Sequence, residues 1–185
     1  MPPTDEELIQ EYWQGDEKAF ERLVERYLKS LYGFLFRLSG SADEATDLTQ
    51  ETFLKAWKNI RGFDSDRSFK TWIFAIARNT AFDYLRKKKL LLFSALDTET
   101  DTFESSLEDT APLPEELFAR SESVEQLEKA LACLSPHYRS IVLLHDMDGL
   151  TFEAIAEIEG KPMNTIKSQY RRALLQMRGF LSHGS

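Results

Sequence analysis

The segment that most constrains this chain lies near its end, at residues 150–173, and reads LTFEAIAEIEGKPMNTIKSQYRRA. Ala156 is small, as is needed where two helices cross closely, and Gly160 follows where the chain must turn. Ile166 is apolar at the position where a second helix must pack back on the first. A small, a flexible and an apolar residue in this order predict a helix-turn-helix.

The charge of the second helix favours an interface with nucleic acid, because residues 161–178 contain five basic side chains and no acidic one. At about 100° per residue, one face is apolar and is assigned to the core: Ile166, Tyr170, Ala173, Leu174 and Met177. The opposite face carries polar and basic groups that reach phosphates and base edges: Lys167, Ser168, Arg171 and Arg172. Asn164 is expected to cap this helix. A solvated basic helix on an ordinary bundle is the alternative.

Composition predicts an all-α protein with two small domains. The chain has 185 residues, 42% of them hydrophobic, and its apolar period is helical nearly throughout. The single cysteine, Cys133, excludes an internal disulfide and a two-cysteine zinc motif, and its apolar neighbours predict a buried thiol. No apolar run approaches the roughly 18 residues of a membrane span, so we expect no membrane insertion and a cytoplasmic chain.

The net charge of −8 is concentrated in one segment. Residues 94–125 hold ten acidic side chains and one basic one and so carry −9, whereas the rest of the chain carries +1. This segment includes Pro112 and Pro114 and lacks a clean helical period, so residues 92–119 are predicted to be a flexible acidic linker. The linker would join a first domain, residues 1–91, to a second domain, residues 120–185.

Capping residues and apolar spacing divide the first domain into helices. Thr4 and Glu7 have the spacing of a capping box, and Asp16 is expected to cap a helix over 17–38. Further helices are expected over 42–60 and 68–89, and the residues between them are rich in turn formers.

The helix over 42–60 has an unusual second face. Its buried side is expected to hold Thr49, Phe53, Ala56 and Ile60. The opposite side combines acids and an amide with large apolar groups: Asp47, Gln50, Glu51, Leu54 and Trp57. We call these five residues the docking face, because such a mixed surface suits a basic, partly apolar protein partner. A solvated face with a half-buried Trp57 is the alternative.

The helix that ends the first domain mixes aromatic with basic residues, and residues 67–89 carry a net charge of +6. Trp72, Asn79 and Arg86 recur every seven positions and form one stripe, with Asp83 beside them. Aromatic rings among basic groups suit unstacked nucleic acid, where each stacked base contributes about 1–3 kcal/mol. Alternatively, the rings belong to the core and the basic groups complement the helix dipole.

Three motifs in one order resemble a known family. They are DLTQETFLKAW at 47–57, FKTWIFAIARN at 69–79 with Asp83 and Arg86, and the helix-turn-helix. Together they resemble bacterial sigma factors, and the short two-domain form with an acidic linker is similar to the extracytoplasmic-function (ECF) group. The resemblance covers about residues 17–181. It implies a region 2-like first domain, a region 4-like second domain, and a protein that gives RNA polymerase its choice of promoter and is not an enzyme.

The resemblance also implies roles for individual residues, without a cofactor or a metal. The docking face would bind the β′ clamp of core RNA polymerase, and the β flap is a further expected contact. Minus-ten promoter DNA would be read and melted by Phe63, Asp64, Trp72, Arg78, Asn79, Asp83 and Arg86. The minus-thirty-five element would be read by Thr165, Lys167, Ser168, Arg171 and Arg172. An anti-sigma factor is the expected regulator.

The sequence departs from the family pattern at two positions, and three other functions have to be weighed against that of a sigma factor. Glu159 beside the turn and Gln169 in the second helix depart from the family pattern and leave the promoter sequence open. A helix-turn-helix regulator that acts without polymerase is the alternative function, but it does not explain the docking face. An enzyme is disfavoured because no phosphate loop, nucleophile elbow or zinc signature is present, and His145 with Asp146 is interpreted as a surface pair. An adaptor that sequesters a sigma factor would not need basic helices in both domains.

Overall fold

The computed structural model describes residues 2–96 and 122–183, which form helices joined by short turns. The first unit contains α1 (Asp5–Trp13), α2 (Glu17–Ser39), α3 (Ala42–Asn59) and α4 (Phe69–Leu96), with a 3-10 turn at Ile60–Gly62. The second unit contains α5 (Glu122–Ala132), α6 (Pro136–Val142), α7 (Phe152–Glu159) and α8 (Met163–His183), with a π turn at Leu143–Met147. The all-α prediction is confirmed, since these described ranges contain no strand.

Side-chain caps start the first helices where the sequence predicts them. Thr4 and Glu7 form a capping box at the start of α1. Asp16 accepts a hydrogen bond from the N–H of Lys18 and so caps α2. Gly40 ends α2 with φ +79°, a left-handed conformation that glycine adopts without steric cost. The caps therefore fix where α1 and α2 begin and where α2 ends.

The two units share a core. Within the first unit, large side chains of α2 and α4 are at most 1% exposed: Leu23, Leu31, Leu35, Phe69 and Phe74. The buried apolar residues of both units belong to one hydrophobic cluster. Helices α2 and α4 contact α6 and α7 across the boundary between the units. The second unit therefore packs directly on the first.

The end of α4 differs from the prediction. The helix was expected to stop near Lys89, because a run of basic residues often marks a C-terminus. It continues to Leu96 through a leucine-rich stretch, since leucine is a strong helix former. The helix thus occupies the first residues of the predicted linker, and the remaining linker residues lie outside the described ranges.

Three side chains in the second unit were also assigned incorrectly. Cys133 is exposed, not buried, because it follows the last residue of α5, and its thiol donates to the Ala130 carbonyl at 2.9 Å. Asn164 is the second residue of α8 and so does not cap it. Leu174, assigned to the core face of α8, is 40% exposed, because the apolar stripe is wider than the surface that covers it.

Candidate nucleic-acid interface

All five residues of the docking face on α3 are exposed to solvent. Trp57 is 51% exposed and Leu54 is 49% exposed. On the other side of the same helix, Thr49 and Ala56 are buried as predicted, whereas Phe53 is partly buried. Large apolar side chains among exposed acids are typical of a surface that binds another protein.

An apolar groove extends the docking face onto the neighbouring helix. Its lining comes mainly from Phe20, Val24 and Leu28 of α2 and from Phe53, Leu54 and Trp57 of α3. Leu28 is 48% exposed although its spacing on α2 matches the core positions. Periodicity alone does not distinguish Leu28 from a core residue, because an apolar stripe does not reveal which neighbour covers its edge.

The polar members of the stripe on α4, Asn79 and Arg86 with Asp83 beside them, are exposed. The Arg86 guanidinium donates to Asp83 Oδ1 at 3.0 Å. The guanidinium of Arg78, whose side chain is only 15% exposed, donates to Asn79 Oδ1 at 3.2 Å. Trp72, nearer the start of the helix, is partly buried. This face therefore offers both donors and acceptors to a nucleic acid.

The loop before α4 is held by an aromatic cluster. Phe63 is 5% exposed, and its ring centroid lies 5.0 Å from that of Trp72 and 5.7 Å from that of Phe69. Asp64 is exposed, and its Oδ1 accepts a hydrogen bond from the N–H of Asp66 at 3.1 Å. In this conformation Asp64, not Phe63, faces solvent, and the base-holding role of Phe63 stays a prediction.

The helix-turn-helix has the geometry that its sequence predicts. Thr151 caps α7 by accepting from the N–H of Ala154 at 3.2 Å, and Gly160 ends α7 with φ +62°. Helices α7 and α8 contact each other, with Ile166 fully buried and Ala156 partly buried. The turn after α7 therefore sets the direction of α8.

The polar face of α8 is open to solvent. Its exposed members are Lys167, Ser168, Arg171 and Arg172, while Thr165 is partly buried. Ser168 Oγ donates to the Thr165 carbonyl at 2.9 Å, and Lys167 Nζ lies 5.8 Å from the centre of the Phe152 ring. We call the four exposed residues the recognition face, since a helix with this charge fits the major groove of DNA.

The second unit also reaches the stripe on α4. A cavity between the units is lined by Arg78, Asn79, Phe82, Asp83 and Arg86 of α4 and by His137 of α6. The ring of His137 lies 4.6 Å from that of Phe82, and burial lowers the pKa of His137. Glu159, at the end of α7, forms an ion pair with Arg78. Local sequence gave no signal for His137, and it marked Glu159 only as a departure from the family pattern, because the partners of both residues belong to the other unit.

Comparison with known proteins identifies both units. The family model Sigma-70 region 2 matches residues 23–90, and Sigma-70, region 4 matches residues 124–177. The sequence is 32% identical to the ECF RNA polymerase sigma factor SigW of Bacillus subtilis, over 173 residues that cover 92% of each protein. This chain belongs to the ECF sigma factors. We therefore call α1–α4 the region 2 unit and α5–α8 the region 4 unit.

Two other sigma factors extend the similarity to both sequence and structure. The ECF RNA polymerase sigma-E factor of Haemophilus influenzae is 34% identical over 174 residues, which cover 92% of this chain and 91% of that protein. A solved complex of the sigma factor RpoE with the anti-sigma factor NepR, from Bartonella quintana, contains a chain similar to this one with a TM-score of 0.74. That chain is 30% identical, and the match covers 89% of this ECF sigma factor and 98% of the other.

In the region 4 unit, Asp146 is exposed, as predicted for a surface pair, whereas His145 is partly buried. His145 Nδ1 lies 2.9 Å from the Leu150 carbonyl, and its ring stacks on Phe152 with centroids 4.2 Å apart. Asp146 accepts a hydrogen bond from the Tyr170 hydroxyl at 2.7 Å. Burial, together with this hydrogen bond, raises the pKa of Tyr170 to about 12. Both residues therefore brace the turn between α6 and α7 against α8.

Across the described ranges of this ECF sigma factor, no group of His, Cys, Asp and Glu side chains is arranged to hold a metal ion. None of the helices in the same ranges combines the length and the apolar content that a bilayer crossing requires.

Proposed function

We propose that this chain acts as an alternative sigma factor, which binds core RNA polymerase and directs it to promoters. The observation that carries the proposal is that three chemically different faces lie on three helices of one ECF sigma factor. The docking face on α3 is acidic and apolar, whereas α4 and α8 carry basic and polar groups. A transcription regulator that acts alone has no use for the first of these faces.

The docking face would bind the β′ clamp of the polymerase. Trp57 and Leu54, each about half exposed, supply the apolar contacts, and the groove between α2 and α3 accepts the partner's side chains. Asp47 and Glu51 give the face a negative charge that favours a basic partner. The β flap is proposed as a second contact, with the region 4 unit.

The face of α4 would read and open the minus-ten element. Flipping a base out of the duplex costs a few kcal/mol, and each base stacked on an aromatic ring returns about 1–3 kcal/mol. Several contacts must therefore act together, and we assign them to Phe63, Asp64, Trp72, Arg78, Asn79, Asp83 and Arg86.

The recognition face, with Thr165 beside it, would read the minus-thirty-five element. Arginine and lysine contact guanine edges and phosphates, and Ser168 adds a short donor and acceptor. We propose no enzymatic activity, a cytoplasmic location, and control by an anti-sigma factor. The last proposal is supported by the similarity to RpoE, which was solved with the anti-sigma factor NepR.

Reconstituted transcription tests the proposed function. Core polymerase mixed with this chain should start RNA synthesis from specific fragments of the host genome, and core alone should not. Sequencing the transcript starts should reveal two conserved elements upstream. If the chain neither co-purifies with core polymerase nor directs any start, the proposal fails. Specific DNA binding without polymerase would then favour the helix-turn-helix regulator.

A further inference from the structure

The first helix, α1, lies before the residues that match the region 2 family model, which begin at Leu23. Its apolar side belongs to the core, because Leu8 and Ile9 are at most 1% exposed. Burial of these two side chains explains why α1 stays attached to α2. It does not explain two polar contacts that connect α1 with the segment between α3 and α4.

The last residue of α1 makes the first of these contacts. Trp13 is 42% exposed, and its indole Nε1–H donates a hydrogen bond to the Ile60 carbonyl at 3.1 Å. Ile60 is fully buried and begins the 3-10 turn that follows α3. The same carbonyl accepts a hydrogen bond from the N–H of Phe63, also at 3.1 Å. One oxygen of this turn is therefore held both by its own backbone and by α1.

The first residue of α1 makes the second contact. Asp5 accepts hydrogen bonds from the Tyr27 hydroxyl and from the Arg26 guanidinium of α2. Burial, together with the hydrogen bond to Asp5, raises the pKa of Tyr27, so the hydroxyl keeps the proton that it donates. The centroid of the Tyr27 ring lies 5.5 Å from that of Phe69, with the ring planes at 62°. Helix α1 thus reaches the first residue of α4 through one side chain of α2.

The two contacts lie at opposite ends of the segment that carries Phe63 and Asp64. We call residues 63–67 the base-holding loop. Inside it, the Asp64 carbonyl accepts from the N–H of Arg67 at 3.0 Å, and Asp64 Oδ1 accepts from the N–H of Asp66 at 3.1 Å. Because its own hydrogen bonds close this turn, we expect a shift at either end to move the loop as a whole.

We propose that α1 positions the base-holding loop for a base flipped out of minus-ten DNA, and that Trp13 is the positioning residue. This inference rests on the proposed role of Phe63 and Asp64 in holding that base. A binding site needs its groups within about 0.5 Å of their working places, which a loop achieves only when its neighbours fix it. Helix α1 therefore contributes to promoter opening without contacting DNA.

A role in stability alone has a different consequence for DNA binding. If α1 only completed the core, loss of the Trp13 hydrogen bond would lower the amount of folded chain and weaken every DNA complex by the same factor. Misplacement of the loop weakens only those complexes in which it holds a base. The ratio of two DNA affinities therefore separates positioning from stability.

The test uses core polymerase bound to the full chain, with a single strand that carries the non-template minus-ten element of a mapped promoter. An abasic nucleotide replaces each position of the element in turn, and fluorescence anisotropy gives Kd for the intact strand and for each abasic strand. At the position of the flipped base, the parent chain should prefer the intact strand by at least about fivefold, the smallest gain expected from one stacked base.

Trp13→Phe keeps an aromatic ring but removes the donor to the Ile60 carbonyl. It should lower the preference for the intact strand by about threefold or more, as expected for the loss of one hydrogen bond that holds the loop. Its Kd for the abasic strand should remain that of the parent chain, because that complex contains no base for the loop to hold.

Tyr12→Phe is the matched control. Tyr12 precedes Trp13 on α1, is partly buried, and packs on Phe20 with ring centroids 5.6 Å apart. Removing its hydroxyl takes one polar group from the same helix and leaves the contact with Ile60 in place. The preference for the intact strand should remain that of the parent chain. A Trp13→Phe chain that keeps the full preference, or a Tyr12→Phe chain that loses it equally, overturns the inference.

Amide hydrogen exchange of the full chain without polymerase tests whether Trp13 holds the turn. The N–H of Phe63 donates to the same carbonyl as Trp13, so Trp13→Phe should speed exchange over residues 60–68 by about threefold or more. Exchange in α8 should not change. Unchanged exchange over residues 60–68, or an equal increase in α8, counts against a local positioning role.

Failure of the proposed function gives a separate result. If no abasic position weakens binding of the parent chain, the base-holding role of the loop fails, and the inference fails with it. If the parent chain prefers the intact strand and Trp13→Phe prefers it equally, the positioning role of α1 fails alone, and the proposed reading of minus-ten DNA stands.

Discussion

Trp57→Ala should weaken binding to core polymerase without weakening the fold. An aromatic side chain buries about 150–250 Å² at an interface, so Trp57 at 51% exposed has on the order of 100 Å² left to cover. At about 25 cal/mol per Å², losing this contact costs roughly 2.5 kcal/mol of binding free energy. The expected increase in Kd is therefore on the order of 50- to 100-fold.

The assay measures Kd by anisotropy of labelled chain titrated with core polymerase, and Tm by differential scanning fluorimetry. Leu91→Ala is the matched control, because Leu91 is 72% exposed on α4 and is not part of the docking face. It should leave both values unchanged, whereas Leu54→Ala should raise Kd in the same direction as Trp57→Ala. If Trp57→Ala raises Kd by no more than Leu91→Ala does, or lowers Tm strongly, α3 is not the docking surface.

Two further outcomes are expected. Arg171→Ala should cost about 1–3 kcal/mol of binding to the minus-thirty-five element, measured by fluorescence titration, and an equal loss on scrambled DNA would mean that it contacts only phosphate. Asp148 lies near Lys70 and Arg37, but burial outweighs these charges and raises its pKa to about 7. Between about pH 4 and pH 7 the folded chain holds a proton on Asp148 that the unfolded chain has already released. The stability that this proton contributes at low pH is therefore lost progressively and is gone once pH rises through about 7. Asp148→Asn should flatten the pH dependence of urea unfolding and raise stability near pH 8 by at most about 4 kcal/mol; an unchanged slope would contradict it.

Local signals predicted most helices because their causes are local. Thr4 and Asp16 accept hydrogen bonds from N–H groups two or three residues away, and Gly160 meets a backbone requirement at its own position. The exposure of the docking face was predictable because Leu54 and Trp57 share one side of α3 with acidic residues, and its role in docking stays a prediction. These features depend on a few neighbouring residues, which a single sequence displays.

Features that depend on the other unit were not predictable in the same way. Glu159 was noticed as a departure from the family pattern, but its partner lies 81 residues away in sequence. Leu28 has the spacing of a core residue on α2, but it is 48% exposed. The exposure of Cys133 follows from where α5 ends. The burial or exposure of each of these side chains depends on packing between elements. The apolar period of a single helix contains no information about that packing.

The exposure of Trp57 in the packed chain affects how such a protein finds core polymerase in the cell. Its apolar contact point stays accessible to every polymerase that the chain meets. Competition with other sigma factors then depends mainly on collisions of each sigma factor with core polymerase. The concentration of unoccupied core polymerase sets how quickly transcription is redirected.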